Sequence, residues 1–157
     1  MNTGVLQNMV RLICLSDIHG QQNNFKIPAG DILILAGDFC SLGTEREVHK
    51  AAKWLRALPH PAKIVVAGNH DRFFEQQPAR ARAYFEYPGV HFLEDTGCEI
   101  EGIRFWGSPW QPSFMDWAFN LPRRGPELRD RWSRIPIGTD VLITHCPPHG
   151  ILDKVQV

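Results

Sequence analysis

Asp31-Ile32-Leu33-Ile34-Leu35-Ala36-Gly37-Asp38 and Lys63-Ile64-Val65-Val66-Ala67-Gly68-Asn69-His70-Asp71 decide the fold: each is apolar nearly throughout, then turns at glycine into a polar residue. Apolar runs without alternation mark strands covered on both faces, as in a parallel sheet between two layers. Between the two, Thr44 with Glu47 three residues on makes a capping box. Val48, Ala51, Ala52, Leu55 and Leu58 follow at helical spacing until Pro59 stops the helix. Strand, helix, strand predicts a right-handed crossover and a parallel pair.

Val10 to Leu15 reads as an earlier strand of the same doubly covered kind, and Pro78 opens a short helix through Phe85 that Pro88-Gly89 ends. Val90 to Leu93, Cys98 to Glu101 and Ile103 to Trp106 are short segments separated by Asp95-Thr96-Gly97 and by Gly102. They predict an antiparallel meander. Pro109 to Pro126 reads as a long irregular loop, a helix lies around Leu128 to Ile135, and Val141 to Ile143 forms a last strand. With no repeat, low-complexity tract or linker, residues 1–157 are expected to form a single α/β domain with a flexible lead at 1–8.

A chain of 157 residues, 43% hydrophobic and 22% charged, is long enough to bury a core and is neither disordered nor collagen-like in composition. Lys plus Arg and Asp plus Glu number 17 each, so no global field favours a nucleic acid polymer or an anionic membrane. An anionic substrate then needs a local positive site, which a bound metal would supply. Cys14, Cys40, Cys98 and Cys146 lack the paired spacing of a zinc ribbon or a redox motif and are expected as reduced thiols. The opening shows no signal-peptide pattern and the longest aliphatic run is far too short to span a bilayer, so a soluble cytoplasmic protein is expected.

In open α/β sheets, ligands gather outside the carboxyl ends of the parallel strands, where Asp17, Asp38, Asn69 and His145 each fall. Taken alone, a Gly-Asp after a strand is often only a cap or a turn. Taken in order, four strand ends make one site. Carboxylate and amide oxygens mixed with imidazole suit manganese, iron, zinc or magnesium, and a shared carboxylate lets two ions sit close together.

The motifs Asp17/His19, Gly37/Asp38, Gly68 to Asp71 and Thr144/His145 resemble, in kind and order, those of the calcineurin-like metallophosphoesterases. Gly107-Ser108-Pro109-Trp110, Phe119 to Arg123 and Thr144 to Pro148 carry the resemblance further, to the metallophosphoesterase-domain (brain 239 type) phosphodiesterases and their bacterial relatives. The resemblance implies a four-layer α-β-β-α sandwich with two mixed sheets. It implies two divalent ions, manganese foremost: Asp17 and His19 on the first, Asp38 bridging, Asn69 and His145 on the second. Two such ions about 3.5 to 4 Å apart would activate a water for in-line attack on phosphorus. His70 would face the scissile phosphate, stabilising its charge or protonating the leaving alkoxide, with Asp71 orienting its ring. The implied substrate is a small phosphodiester such as a cyclic nucleotide.

The sequence departs from the family in one place. The family ends its site with a later Gly-His-x-His, and after His145 this chain has only His149, which the Pro147-Pro148 pair is expected to hold in a solvated loop. Three protein ligands per ion then remain, with weaker metal binding expected. Because the resembling family continues its second sheet beyond Val157, the fold is expected to be C-terminally incomplete, with a bare sheet edge that favours self-association. Such a chain would be an impaired metal- or nucleotide-binding module, or a fragment completed by its missing segment or by another chain.

Trp106, Trp110, Phe114, Trp117 and Phe119 are candidates for a wall that stacks a base, with core packing as the competing reading. Of these Trp110 is named as a substrate contact, together with Arg123 of Arg123-Arg124, whose competing reading is a solvated turn. Cys146, beside His145 but without a base or acid partner, reads as a packing residue.

Overall fold

A computed structural model describes residues 9–153, so the expected flexible lead lies outside the described residues. Strands β1 (Leu12–Leu15), β2 (Ile32–Ala36), β3 (Ala62–Val66) and β4 (Val90–Phe92) form one sheet in that order, every neighbouring pair parallel. Helix α1 (Glu45–Ala57) connects β2 to β3, and α2 (Arg72–Gln76) with α3 (Pro78–Ala83) connects β3 to β4. A connection that carries a helix brings the chain back to start its next strand in the same direction, hence the parallel ladder. β5 (Thr96–Ile100) and β6 (Ile103–Ser108) form a hairpin, and β9 (Val141–Thr144) lies parallel to β6, giving a mixed second sheet.

Side-chain alternation divides the core. Leu33, Leu35 and Val65 point to the helical side, where Val48, Ala51, Ala52 and Leu55 of α1 meet them. Ile32, Ile34, Ile64 and Val66 point the other way, against Phe105 and Ile143 of the second sheet. Successive residues of a strand face opposite sides, so one apolar run fills both cores. Helices, first sheet and second sheet thus make three successive layers of the α-β-β-α arrangement. The capping box of α1 forms as predicted, Thr44 and Glu47 each bonding the other's backbone N–H.

Four expectations need correction. The segment at Val90 to Leu93 is not the first strand of a meander: β4 pairs in parallel with β3, and among the described residues only β5 and β6 are antiparallel. A strand this short carries no sign of its partner, and the α2–α3 connection delivers it to the first sheet. The first sheet is also wholly parallel among the described residues, so only the second is mixed. β1 is an edge strand, with Cys14 exposed, and so is not covered on both faces as β2 and β3 are. Finally, the loop from Pro109 to Pro126 contains a short parallel pair, β7 (Gln111–Pro112) with β8 (Asn120–Leu121), and α4 (Pro126–Ser133) follows.

Ile64 sits at the centre of β3 with no exposed surface, packed between the sheets. Ile64→Ala should lower the unfolding free energy by about 2–5 kcal/mol, read from urea denaturation with an unchanged slope. A loss near zero would mean that the two sheets do not close over this position.

Candidate metal centre

Asp17 and His19 follow β1, Asp38 follows β2, Asn69 to Asp71 follow β3, and His145 follows β9. The loops after β1 and β2 run side by side, joined by Asp17 N–H to Gly37 O (3.1 Å), His19 N–H to Asp38 O (2.9 Å) and Gly20 N–H to Phe39 O (2.9 Å). Ile18 and Phe39 anchor these loops in the helix-side core. Flanked by buried Ile18, Asp17 and His19 are left to the surface; Asp38 itself is buried.

The backbone is left-handed at Asp17 (φ 55°), His19 (φ 40°) and Asp38 (φ 54°). Non-glycine residues in this region are uncommon, and such conformations gather at functional sites. Two glycines are required by contact. A Cβ on Gly37 would lie 2.5 Å from His145 Nδ1, and one on Gly68 would lie 2.3 Å from Asp38 Oδ1. The Gly-Asp and Gly-Asn-His motifs therefore exist so that loop backbone can press against ligand side chains.

Asp38 is the hub. Its Oδ1 accepts the His70 backbone N–H at 2.8 Å. Its Oδ2 faces three imidazoles, with His145 Nε2 at 3.3 Å, His19 Nε2 at 3.9 Å and His70 Nε2 at 4.0 Å. The other nitrogen of each ring is held by a backbone carbonyl: His145 Nδ1 by Ala36 O (3.0 Å), His19 Nδ1 by Cys40 O (3.2 Å), and His70 Nδ1 by Ser41 O (2.6 Å). A carbonyl can only accept, so each ring donates from Nδ1 and turns its Nε2 to the centre. Metal-binding histidines are held in this way.

Two groups have ligand atoms within 4.8 Å of one another, His19 with Asp38 and His70, and Asp17 with Asp38 and His145. The donor set, carboxylate oxygen with neutral imidazole, fits a divalent cation, and Asp38 belongs to both groups as a bridging ligand would. The grouping differs from the implied one, since His70 stands with His19 and Asp17 stands with His145. Asn69 is half-buried in the same turn, its carbonyl accepting from Ala118 N–H at 3.1 Å. His149 is exposed and joins neither group.

Asp71 does not touch the His70 ring, and that expected role passes to the Ser41 carbonyl. The Asp71 carboxylate instead accepts three backbone N–H groups: Gly68 (2.7 Å) and Asp38 (2.9 Å) on Oδ2, Cys40 (2.9 Å) on Oδ1. Burial pushes its pKa up to about 7 against the pull of these donors. At Asp38 burial also acts to raise the carboxyl, but the His145 hydrogen bond and charge, with His70, hold it below its usual value. At His145 burial acts to lower the ring, and the Asp38 hydrogen bond and charge outweigh it, raising the pKa to about 9.

Sequence reasoning missed Ser41. Its carbonyl holds His70, its hydroxyl donates to His19 O at 2.6 Å, and its N–H donates to Glu47 Oε1 at 3.1 Å. The capping box is its sequence signal, because the same Glu47 carboxylate caps α1. Arg123 is exposed, near enough to Cys146 for its charge to oppose the burial that raises that thiol. Trp110 packs edge-on against Phe119 (centroids 5.4 Å) with the Arg131 guanidinium over its ring at 4.3 Å. Those are the contacts of the packing reading, so the expected substrate role of Trp110 is not carried further.

Strand-end carboxylates facing backbone-anchored imidazoles, on a sandwich of two sheets, define an α/β class with a candidate metal centre at its strand ends. Comparison with known proteins gives the family. The family model described as Calcineurin-like phosphoesterase matches residues 10–156, and the chain belongs to that family, whose members are phosphoesterases that use divalent metals. It is 41% identical to human Metallophosphoesterase domain-containing protein 1, over 92% of this chain and 51% of that protein. It is 36% identical to UPF0046 protein T07D4.2 of Caenorhabditis elegans, over 99% of this chain and 46% of that protein. The chain thus spans about half the length of these curated relatives. A solved crystal structure superposes with TM-score 0.55 at 14% identity, over 90% of this chain and 71% of that one, which shows the shared fold.

A cation binding at His145 must displace the proton that a pKa of about 9 keeps there at neutral pH. Apparent manganese affinity, followed by calorimetric titration, should rise about tenfold per pH unit from neutrality up to that value; a flat profile would remove His145 from the site. In the metal-free protein the sign is opposite. The folded His145 value lies above the ordinary 6.5, so its stabilising contribution is complete below 6.5 and is lost as pH rises through about 9. Asp71→Asn sets an amide NH2 against backbone donors and should cost about 1.5–3 kcal/mol in chemical denaturation. Unchanged stability would show that the three bonds do not hold these loops.

Proposed function

We propose that the chain hydrolyses a phosphodiester of the cyclic-nucleotide kind, using two divalent ions, manganese foremost, held by Asp17, His19, Asp38, Asn69 and His145. The observation that carries this reading is the convergence of three backbone-anchored imidazoles on Asp38 Oδ2. Bound there, the ions would lower the pKa of a water and neutralise charge on the phosphoryl oxygens. In the net reaction, water oxygen forms a new bond to phosphorus, one ester P–O bond breaks, and the leaving alkoxide takes up a proton.

The chain's own residues orient and protonate. Asp38 keeps one oxygen on the His70 N–H and turns the other inward. His70, fixed at Nδ1 by Ser41 O, turns Nε2 to the centre, from which its doubly protonated ring would give a proton to the leaving oxygen. Asp71 acts at one remove, by fixing the loop that carries His70. Arg123, exposed beside Cys146, is the side-chain cation we assign to an outer phosphoryl oxygen. No helix among the described residues is long and apolar enough to cross a membrane, and Cys14, Cys40, Cys98 and Cys146 are all free, which suits a reducing compartment such as the cytoplasm.

A second reading, a metal-binding module without turnover, is favoured by one observation: each donor group holds three side chains and His149 joins neither. Hydrolysis of bis(p-nitrophenyl) phosphate at saturating manganese separates the two. We expect turnover that Asp38→Ala abolishes, while His70→Ala lowers the rate on a cyclic nucleotide by at least about 10²-fold and on the nitrophenyl ester, whose leaving phenolate needs no proton, by far less. Metal binding without turnover would favour the module, and unchanged rates in both variants would reject the hydrolytic site.

A further inference from the structure

His70 is held on more than one side. Beyond its hydrogen bond to Ser41 O, the His19 ring meets it edge-on, with centroids 4.7 Å apart and planes at 79°. Trp117 lies over its face, with centroids 3.8 Å apart and planes 27° from parallel. The Arg72 guanidinium in turn stands over Trp117, 4.6 Å from the ring centroid.

The loop that carries Trp117 is clipped to the segment that carries His70. Ala118 N–H donates to Asn69 O at 3.1 Å, Phe119 N–H donates to Glu75 Oε1 at 3.0 Å, and the Arg72 guanidinium donates to Asp116 O. Asn120 closes the far side, its amide donating to the carbonyls of Phe114 (3.1 Å) and Met115 (3.0 Å). Trp117 itself is half-buried and belongs to neither hydrophobic core. Its ring face is given to an imidazole instead.

A histidine tethered by a single bond at Nδ1 can still rock about that bond, because its outer torsion has a broad, shallow profile. A stacked indole removes that freedom. We propose that Trp117 is the positioning residue for His70, holding the imidazole at the tilt from which Nε2 reaches the leaving oxygen. This rests on the phosphodiesterase reading for its chemistry but on geometry alone for the contact. Its role is distinct from substrate stacking, because the ring's close partner is the protein's own histidine.

The test compares two diesters on the full chain with manganese. Bis(p-nitrophenyl) phosphate expels a phenolate that needs no proton, whereas a cyclic nucleotide expels an alkoxide that does. Trp117→Ala should lower kcat on the cyclic nucleotide by about 10- to 100-fold and on the nitrophenyl ester by less than about threefold, with manganese affinity unchanged. Trp117→Phe, which keeps a ring face, should recover most of the loss, and Trp117→Ala should add nothing in a His70→Ala background. Equal losses on both esters, or a loss that persists without His70, would overturn the proposal. If neither ester is turned over, the hydrolytic reading fails, and long-range proton–nitrogen spectra of the metal-free protein decide the contact. Trp117→Ala should then broaden the His70 ring cross-peaks as the ring begins to rock, and Trp117→Phe should keep them sharp; cross-peaks equally sharp in Trp117→Ala would overturn the positioning role.

Discussion

A buried carboxylate with three backbone N–H groups on it is the constraint on which the site rests. Asp71 has no exposed surface, and leaving such a group unpartnered in an apolar surrounding would cost several kcal/mol. Its three donors come from Asp38, Cys40 and Gly68, so one side chain joins the loop after β2 to the loop after β3. These two loops carry the candidate bridging carboxylate, the candidate amide ligand and the candidate acid. Charge-assisted bonds of this kind are short and directional. The spacing of the two strand ends is therefore set by bonds that Asp71 cannot surrender cheaply.

From that joint the order spreads outward through main chain more than side chain. Ala36, Cys40 and Ser41, all at or just beyond the end of β2, supply the carbonyls that hold the three imidazoles. Glu47 extends the same frame to α1, since its carboxylate caps the helix through Thr44 N–H (2.9 Å) and also accepts from Ser41 N–H and Leu42 N–H. Burial acts to raise the Glu47 carboxyl, and these hydrogen bonds hold it below its usual value. A helix start, a loop and a histidine ring thus share one chain of hydrogen bonds, which fixes where the ring's Nδ1 is anchored.

Legibility in the sequence followed the physics of each feature. β2, β3 and α1 were readable because burial on two faces or on one helical stripe leaves a repeating mark at each position. The convergence of the candidate ligand residues was readable because chemistry restricts which side chains can serve and the sheet restricts where they stand. The partner of β4 was not readable, since three residues carry no register information and the choice of sheet belongs to the preceding helices. The support of His70 was hidden for a different reason. Ser41 contributes a carbonyl that any residue could supply, so its identity says nothing, and Asp71, beside the histidine in sequence, points its oxygens the other way. Trp117 was visible only as one aromatic among several, and its contact with His70 is made by distant folding.

The left-handed backbone at Asp17, His19 and Asp38 shows what this arrangement costs and what offsets it. Each such residue carries strain on the order of 1–3 kcal/mol, and three occur within two facing loops. Relaxing any of them would break the run of bonds between these loops and withdraw Ile18 or Phe39 from the core, where both are almost fully buried. Withdrawing a large apolar side chain costs about 1.5–3 kcal/mol, comparable with the strain relieved. The loops therefore stay bent because the core beneath them is filled by residues that alternate with the ligands. Asp17 and His19 can face the site only because Ile18 faces away from it, and Asp38 turns inward while Phe39, its neighbour, is committed to the helices.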